Sequence, residues 1–149
     1  MIQHIPGSAK RRGTTVIEMA AVIAIFCMLL FGMLEYCMIL YTYDVMQNAA
    51  REGARFAIVN SSDASLVSDT QATVKTMMMG LDTKNTNYSC TVYLADASGN
   101  SIGNATNATF AQNICVNVSL TYTPLTPGLL HLSNSFTLQT KCSMASEAN

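Results

Sequence analysis

The chain has 149 residues, half of them hydrophobic and only 11% charged, with a formal net charge of −1. That length admits one small domain plus an anchor helix, and so few charges are unusual for a soluble domain. The weak overall charge gives no reason to expect nucleic acid as a partner.

Taken in chain order, the first feature is a basic stretch, Lys10-Arg11-Arg12, that ends at Gly13 and runs straight into apolar sequence. A carboxylate, Glu18, follows five residues past the glycine, where an apolar helix begins. A charge in that position is costly to bury and asks for a function. The apolar run is Met19–Leu34 and then, past Glu35, Tyr36–Tyr43, longer than the roughly 20 residues a bilayer requires. A cleavable secretory signal would have a shorter apolar core followed by a small-residue cut site. The run is therefore read as an uncleaved anchor in contact with the lipid bilayer. The three basic residues before it put the N-terminus in the cytoplasm and the C-terminal part outside.

There is no proline from Ile17 to Thr123, so one continuous helix is expected from about Thr14 to Ile58, roughly 65 Å long. That is about twice the hydrocarbon thickness. The division expected is 1–13 as a basic leader, 14–43 as the transmembrane part of the helix, and 44–149 as an exported domain. In the outer half, Met46, Ala49, Ala50, Gly53, Ala57 and Ile58 gather on one side, with Arg51, Glu52 and Arg55 elsewhere, at the period of an amphipathic helix. Asn60–Asp63 reads as a break. A second helix is expected from about Ala64 to Met79, stopping at Gly80. The triplet Met77-Met78-Met79 is read as packing against a sheet rather than as a soft-metal site.

The last third alternates as strands do. Cys90, Val92 and Leu94 share one face, as do Ile114, Val116, Val118, Leu120 and Tyr122, and then Phe136, Leu138 and Cys142. Turn residues at Asp96–Asn100, Pro124 and Pro127-Gly128 separate these runs. About three antiparallel strands are expected, with helix on one face and solvent on the other. Asn100–Thr109 reads as a mobile loop. The fold class is α+β: a long N-terminal membrane helix whose outer half packs, with a short second helix, on a small antiparallel sheet.

Several residues are candidates for contacts. Glu35 falls near the outer boundary of the membrane, either as an interfacial carboxylate or as a contact to an adjacent helix or subunit. Ala49, Gly53 and Ala57 form a ridge of small residues that lets another surface approach closely. That surface is either this chain's own sheet or a partner, and Arg51, Glu52 and Arg55 flank it. Of the five cysteines, Cys27 and Cys37 lie in the apolar run. Cys90, Cys115 and Cys142 lie in the exported part, where disulfides persist. Alternation favours Cys90–Cys142, whereas a hairpin centred on Pro127-Gly128 would bring Cys115 to Cys142; the alternation argument is preferred. No metal site and no cofactor are expected, and no nucleophile–histidine constellation suggests an enzyme.

The junction Lys10-Arg11-Arg12-Gly13-Thr14-Thr15-Val16-Ile17-Glu18 resembles the processing site of type IV prepilins and pseudopilins. Three segments, Val16-Ile17-Glu18-Met19-Ala20, Leu30-Phe31-Gly32-Met33-Leu34-Glu35-Tyr36 and Asn48-Ala49-Ala50-Arg51-Glu52-Gly53-Ala54-Arg55-Phe56-Ala57, resemble the TadE-like family, minor pseudopilins of the tight-adherence (Flp) pilus system. The resemblance covers roughly residues 11–58. It implies a pilin-like architecture, which the patterning reaches independently. It also implies a cut between Gly13 and Thr14 by a prepilin peptidase. The partners it implies are other pilin and pseudopilin subunits and an inner-membrane assembly platform. Glu18 would pair with the new N-terminal ammonium of a neighbour. The expected location is the bacterial inner membrane or the pilus, and the expected role is in assembly of an adhesive pilus. A membrane-anchored binding module that never enters a filament is the alternative, and an intact Met1 would distinguish it.

Overall fold

One helix, α1 (Arg12–Val59), runs the length of the molecule in the computed structural model of the protein, which describes residues 12–130 and 133–146. Lys10 and Arg11 of the expected leader lie outside the described residues, as do His4 and His131. With no proline or turn signal inside it, α1 runs unbroken for 48 residues. It stops at Asn60, whose side-chain amide donates to the Phe56 carbonyl at 2.9 Å and competes with the next helical turn.

The two halves of α1 meet different surroundings. From Thr14 to Leu34 nearly every side chain is exposed, and these are overwhelmingly apolar. From Glu35 onward the buried positions are Glu35, Thr42, Met46, Ala49, Ala50, Gly53, Ala54 and Ala57, one stripe at helical spacing. Packing against the rest of the chain therefore begins at Glu35. Composition cannot tell apolar residues that face lipid from apolar residues that face a sheet.

A short turn leads to α2 (Leu66–Met77), anchored where the Asp63 carboxylate accepts the Ser65 N–H at 3.2 Å. Leu66, Thr70, Val74, Met78 and then Leu81 form its buried edge. That spacing leaves Met77 and Met79 exposed, so only the middle methionine of the triplet packs as expected. Gly80, at φ +84°, takes the left-handed conformation that ends the segment, and the one-turn α3 (Leu81–Lys84) follows.

Four antiparallel strands make the sheet: β1 (Thr86–Ala95), β2 (Ser101–Asn104), β3 (Asn113–Tyr122) and β4 (Phe136–Ala145), in the order β2-β1-β3-β4. The expectation was about three strands, with a mobile loop over Asn100–Thr109. Instead Ser101–Asn104 pairs with the end of β1, and a 3-10 turn, Ala105–Asn107, follows it. Turn chemistry explains the difference. Asp96 Oδ1 accepts the N–H of Ser98 and of Asn100, at 2.9 and 2.8 Å, and Gly99 sits at φ +78°. These bonds hold the Asp96 carboxyl below its ordinary pKa. They fold the chain back on β1 although Ser101–Asn104 has no apolar alternation.

The core lies between α1, α2 and the inner face of the sheet. Ile114, Val116, Val118 and Leu120 of β3 are essentially fully buried against Met46, Ala49, Ala50 and Ala54 of α1. Full burial of each such aliphatic stabilises the fold by about 1.5–3 kcal/mol. β3 runs antiparallel to α1, so its far end reaches the level of Glu35 as β3 closes.

Candidate functional site

The residues singled out from the sequence separate into three places along α1. Gly13 and Thr14 lie in its first turn, next to the residues outside the description. Glu18 follows one turn later on the exposed shaft, with no ionic partner among the described residues. Its neighbours Thr15, Val16, Met19, Ala20 and Ile23 line an apolar surface. A carboxylate on such a shaft would be costly to desolvate without a partner.

Glu35 is the second place, and its partner is inside the chain. The side chain is only 3% exposed. One carboxylate oxygen accepts the Tyr122 hydroxyl at 2.7 Å, and the other accepts the Leu125 N–H at 3.0 Å. Tyr122 closes β3, and Leu125 opens the connection to β4, which contains the one-turn helix α4 (Pro127–Leu130). Burial, and next the bond to Glu35, push the Tyr122 hydroxyl well above its ordinary pKa. The arrangement clamps the membrane-proximal end of the sheet to the helix. Sequence reasoning placed Glu35 at a boundary but not in this contact, because a partner 87 residues away leaves no local trace.

The third place is the small-residue ridge. Ala49, Gly53 and Ala57 are buried in this chain's own core. α2 crosses α1 at Gly53, where a Cβ would overlap Val74 Cγ2. Arg51, Glu52 and Arg55 face outward, with Glu52 and Arg55 3.8 Å apart. Exposed ion pairs at this separation contribute a few tenths of a kcal/mol, about 0.3–0.5 for a helical pair. The three line an open groove of about 620 Å³ with Val45, Met77 and Met144.

The expected Cys90–Cys142 bond does not form, and Cys90, Cys115 and Cys142 are all free. Cys90 in β1 faces Val118, and Cys142 in β4 faces Val116, so β3 stands between them. Two strand spacings are about 10 Å, beyond the roughly 7 Å Cα separation a disulfide spans. The hairpin alternative fails by one residue. Cys115 faces Ser143, which puts Cys115 and Cys142 on opposite faces. Alternation told which cysteines share a face but not which strands are neighbours. Cys115 is buried on the otherwise solvated face, opposite Tyr93, whose hydroxyl is pushed up to about 12 by burial and by the Cys115 thiol. Burial also pushes the Cys90 thiol up to about 11, and the Cys142 thiol upward. A thiol held protonated reacts slowly. Peptide mapping of the native chain without reduction is therefore expected to show Cys90, Cys115 and Cys142 unlinked to one another. A Cys90–Cys142 peptide as the main species would mean that the strand order is wrong.

No curated protein and no solved structure matches the chain. A match does appear where the shaft and the clamp lie. Residues 13–55, from Gly13 through Glu18 and Glu35 to Arg55, match the family model described as TadE-like protein.

Proposed function

We propose that the protein is a minor pseudopilin of a Tad pilus, made as a precursor, cut between Gly13 and Thr14 by a prepilin peptidase, and assembled with other pilin subunits from an inner-membrane platform. It is the substrate of an enzyme and not itself one. The observation that carries this reading is the exposed apolar shaft with Glu18 in it, without an ionic partner among the described residues, inside a stretch that matches the TadE-like model. Cleavage removes Lys10, Arg11 and Arg12, takes the formal charge from −1 to about −4, and leaves an ammonium on Thr14. The ammonium of a neighbouring subunit offsets the desolvation of Glu18 and so selects one axial register between subunits. The N-terminus stays cytoplasmic and the domain beyond Glu35 is exported.

N-terminal sequencing of the protein from membranes tests the processing step. Thr14 is the expected first residue, and Gly13→Leu is expected to keep the precursor mass, because a peptidase reading backbone at the cut needs a residue without a side chain. Intact Met1 in the parent would favour a plain anchored module. Glu18→Ala is expected to remain inserted and cleaved while copurifying poorly with pili. Breaking a fully desolvated ion pair costs about 3–5 kcal/mol, and less near the headgroups. Glu18→Gln is expected to be intermediate. Normal incorporation of Glu18→Ala would remove the pairing role.

A further inference from the structure

We propose that the start of the β3–β4 connection lies on the bilayer, with Leu125 inserted at the boundary between headgroups and acyl chains beside α1. The inference rests on the shaft of α1 being in the membrane, and it adds a second, independent point of lipid contact on the globular part.

Thr14–Leu34, the exposed apolar part of α1, rises about 30 Å at 1.5 Å per residue, the thickness of the hydrocarbon core. Glu35 therefore stands where hydrocarbon ends. The Leu125 N–H is bonded to Glu35 at 3.0 Å, so the Leu125 backbone is held at that same level. Its side chain is 71% exposed. Elsewhere around the helix, Tyr36, Leu40 and Tyr41 are also exposed just past Glu35, and tyrosines at that depth are the usual interfacial anchors. From Thr123 to Leu130 the connection contains three leucines, two prolines and no Asp, Glu, Lys or Arg. A loop of that composition, fixed at the edge of an apolar span, suits the lipid interface better than open water. Glu35 then becomes intelligible as well. A carboxylate at the boundary has one oxygen occupied by the Tyr122 hydroxyl at the end of β3 and the other by the Leu125 N–H of the connection, so it can stay buried there.

The chain contains no tryptophan, so single tryptophans report without background. The full chain carrying Leu125→Trp would be reconstituted into phosphatidylcholine–phosphatidylglycerol vesicles with and without brominated acyl chains. Leu125→Trp changes only the side chain and keeps the N–H that Glu35 accepts. Phe26→Trp marks the middle of the shaft. Phe110→Trp marks the far end of the sheet, about 30 Å away along β3. Blue-shifted emission and loss of intensity in brominated lipid are expected for Phe26→Trp and Leu125→Trp but not for Phe110→Trp. Quenching at Phe26→Trp alone would overturn this inference and leave the anchor standing. A blue shift at Leu125→Trp without lipid quenching would likewise overturn it, pointing to protein as the cover. Quenching at Phe110→Trp as well would mean that the domain adsorbs flat, against the proposal. No quenching at Phe26→Trp would sink the anchor reading and this inference together.

Discussion

Glu35→Ala is expected to loosen the membrane-proximal end of the domain by about 2–4 kcal/mol. Two donors lose a charged acceptor, and each buried donor left unpaired costs about 1–3 kcal/mol. Against this, the protein no longer has to desolvate a carboxylate, which is why the estimate falls below the sum of two full penalties. Glu35→Gln keeps one acceptor oxygen but turns an amide toward the Leu125 N–H or the Tyr122 hydroxyl, so its effect is expected to be intermediate. The urea midpoint of the detergent-solubilised chain, followed by tyrosine near-ultraviolet dichroism, reads the change. A midpoint in Glu35→Ala equal to the parent's would show that the carboxylate bonds are not holding the domain. Tyr122 gives a second readout. Its hydroxyl has an ordinary pKa of 10.0 and a raised value in the fold. Its contribution is whole below pH 10 and is lost as pH rises through the raised value, because the unfolded chain gives up the proton first. That alkaline loss is expected to be shallower in Glu35→Ala, where one cause of the raised value is gone.

Gly53→Leu is expected to unfold the domain packed on the second half of α1 or leave it without fixed packing. A Cβ at this position already overlaps Val74 Cγ2 and lies 3.6 Å from both Thr70 Cγ2 and Val116 Cγ1. Val74 is fully buried and β-branched, and in a helix such a side chain has one strongly preferred rotamer, so it cannot swing aside. Gly53→Ala sets two effects against each other. The helix gains up to about 1 kcal/mol of propensity, and overpacking costs about 1–3 kcal/mol, so a net loss is expected. Leucine adds three more heavy atoms to a site with no room for one, and domains of this size have only about 5–15 kcal/mol of stability to lose. A double-mutant cycle locates the cause. Val74→Ala should be costly alone yet relieve much of the damage in Gly53→Ala. Strict additivity of the two would show that the overlap is not where α1 and α2 meet.

Local periodicity made much of this fold legible. The long helix, the stop at Gly80 and the inward faces of β1, β3 and β4 all follow from spacing and turn residues. The features that spacing did not reveal depend on partners distant in sequence. β2 has no alternation and exists because the Asp96–Asn100 turn returns it to an edge. Strand order, and with it the separation of Cys90 from Cys142, is a long-range property. For the candidate site, Glu18 and Gly13 are visible because a charge and a glycine interrupt a simple pattern. Glu35 is visible for the same reason, but the donor it accepts from is not, since Tyr122 looks like one more inward residue of β3.

The unbroken α1 also has a mechanical consequence. The domain is tied to it near one end by Glu35, and at the other to the turn just past it, where the Ser146 hydroxyl donates to Ser61 at 3.0 Å, and no proline or glycine pair between these ties offers a joint. A load applied to the head therefore reaches the shaft without slack. Withdrawing the anchor by one helical turn, about 5.4 Å, lifts the head by the same distance. Force–extension traces of the single subunit are expected to show no soft regime before the domain ruptures, and an early compliant phase would reveal a hinge within α1.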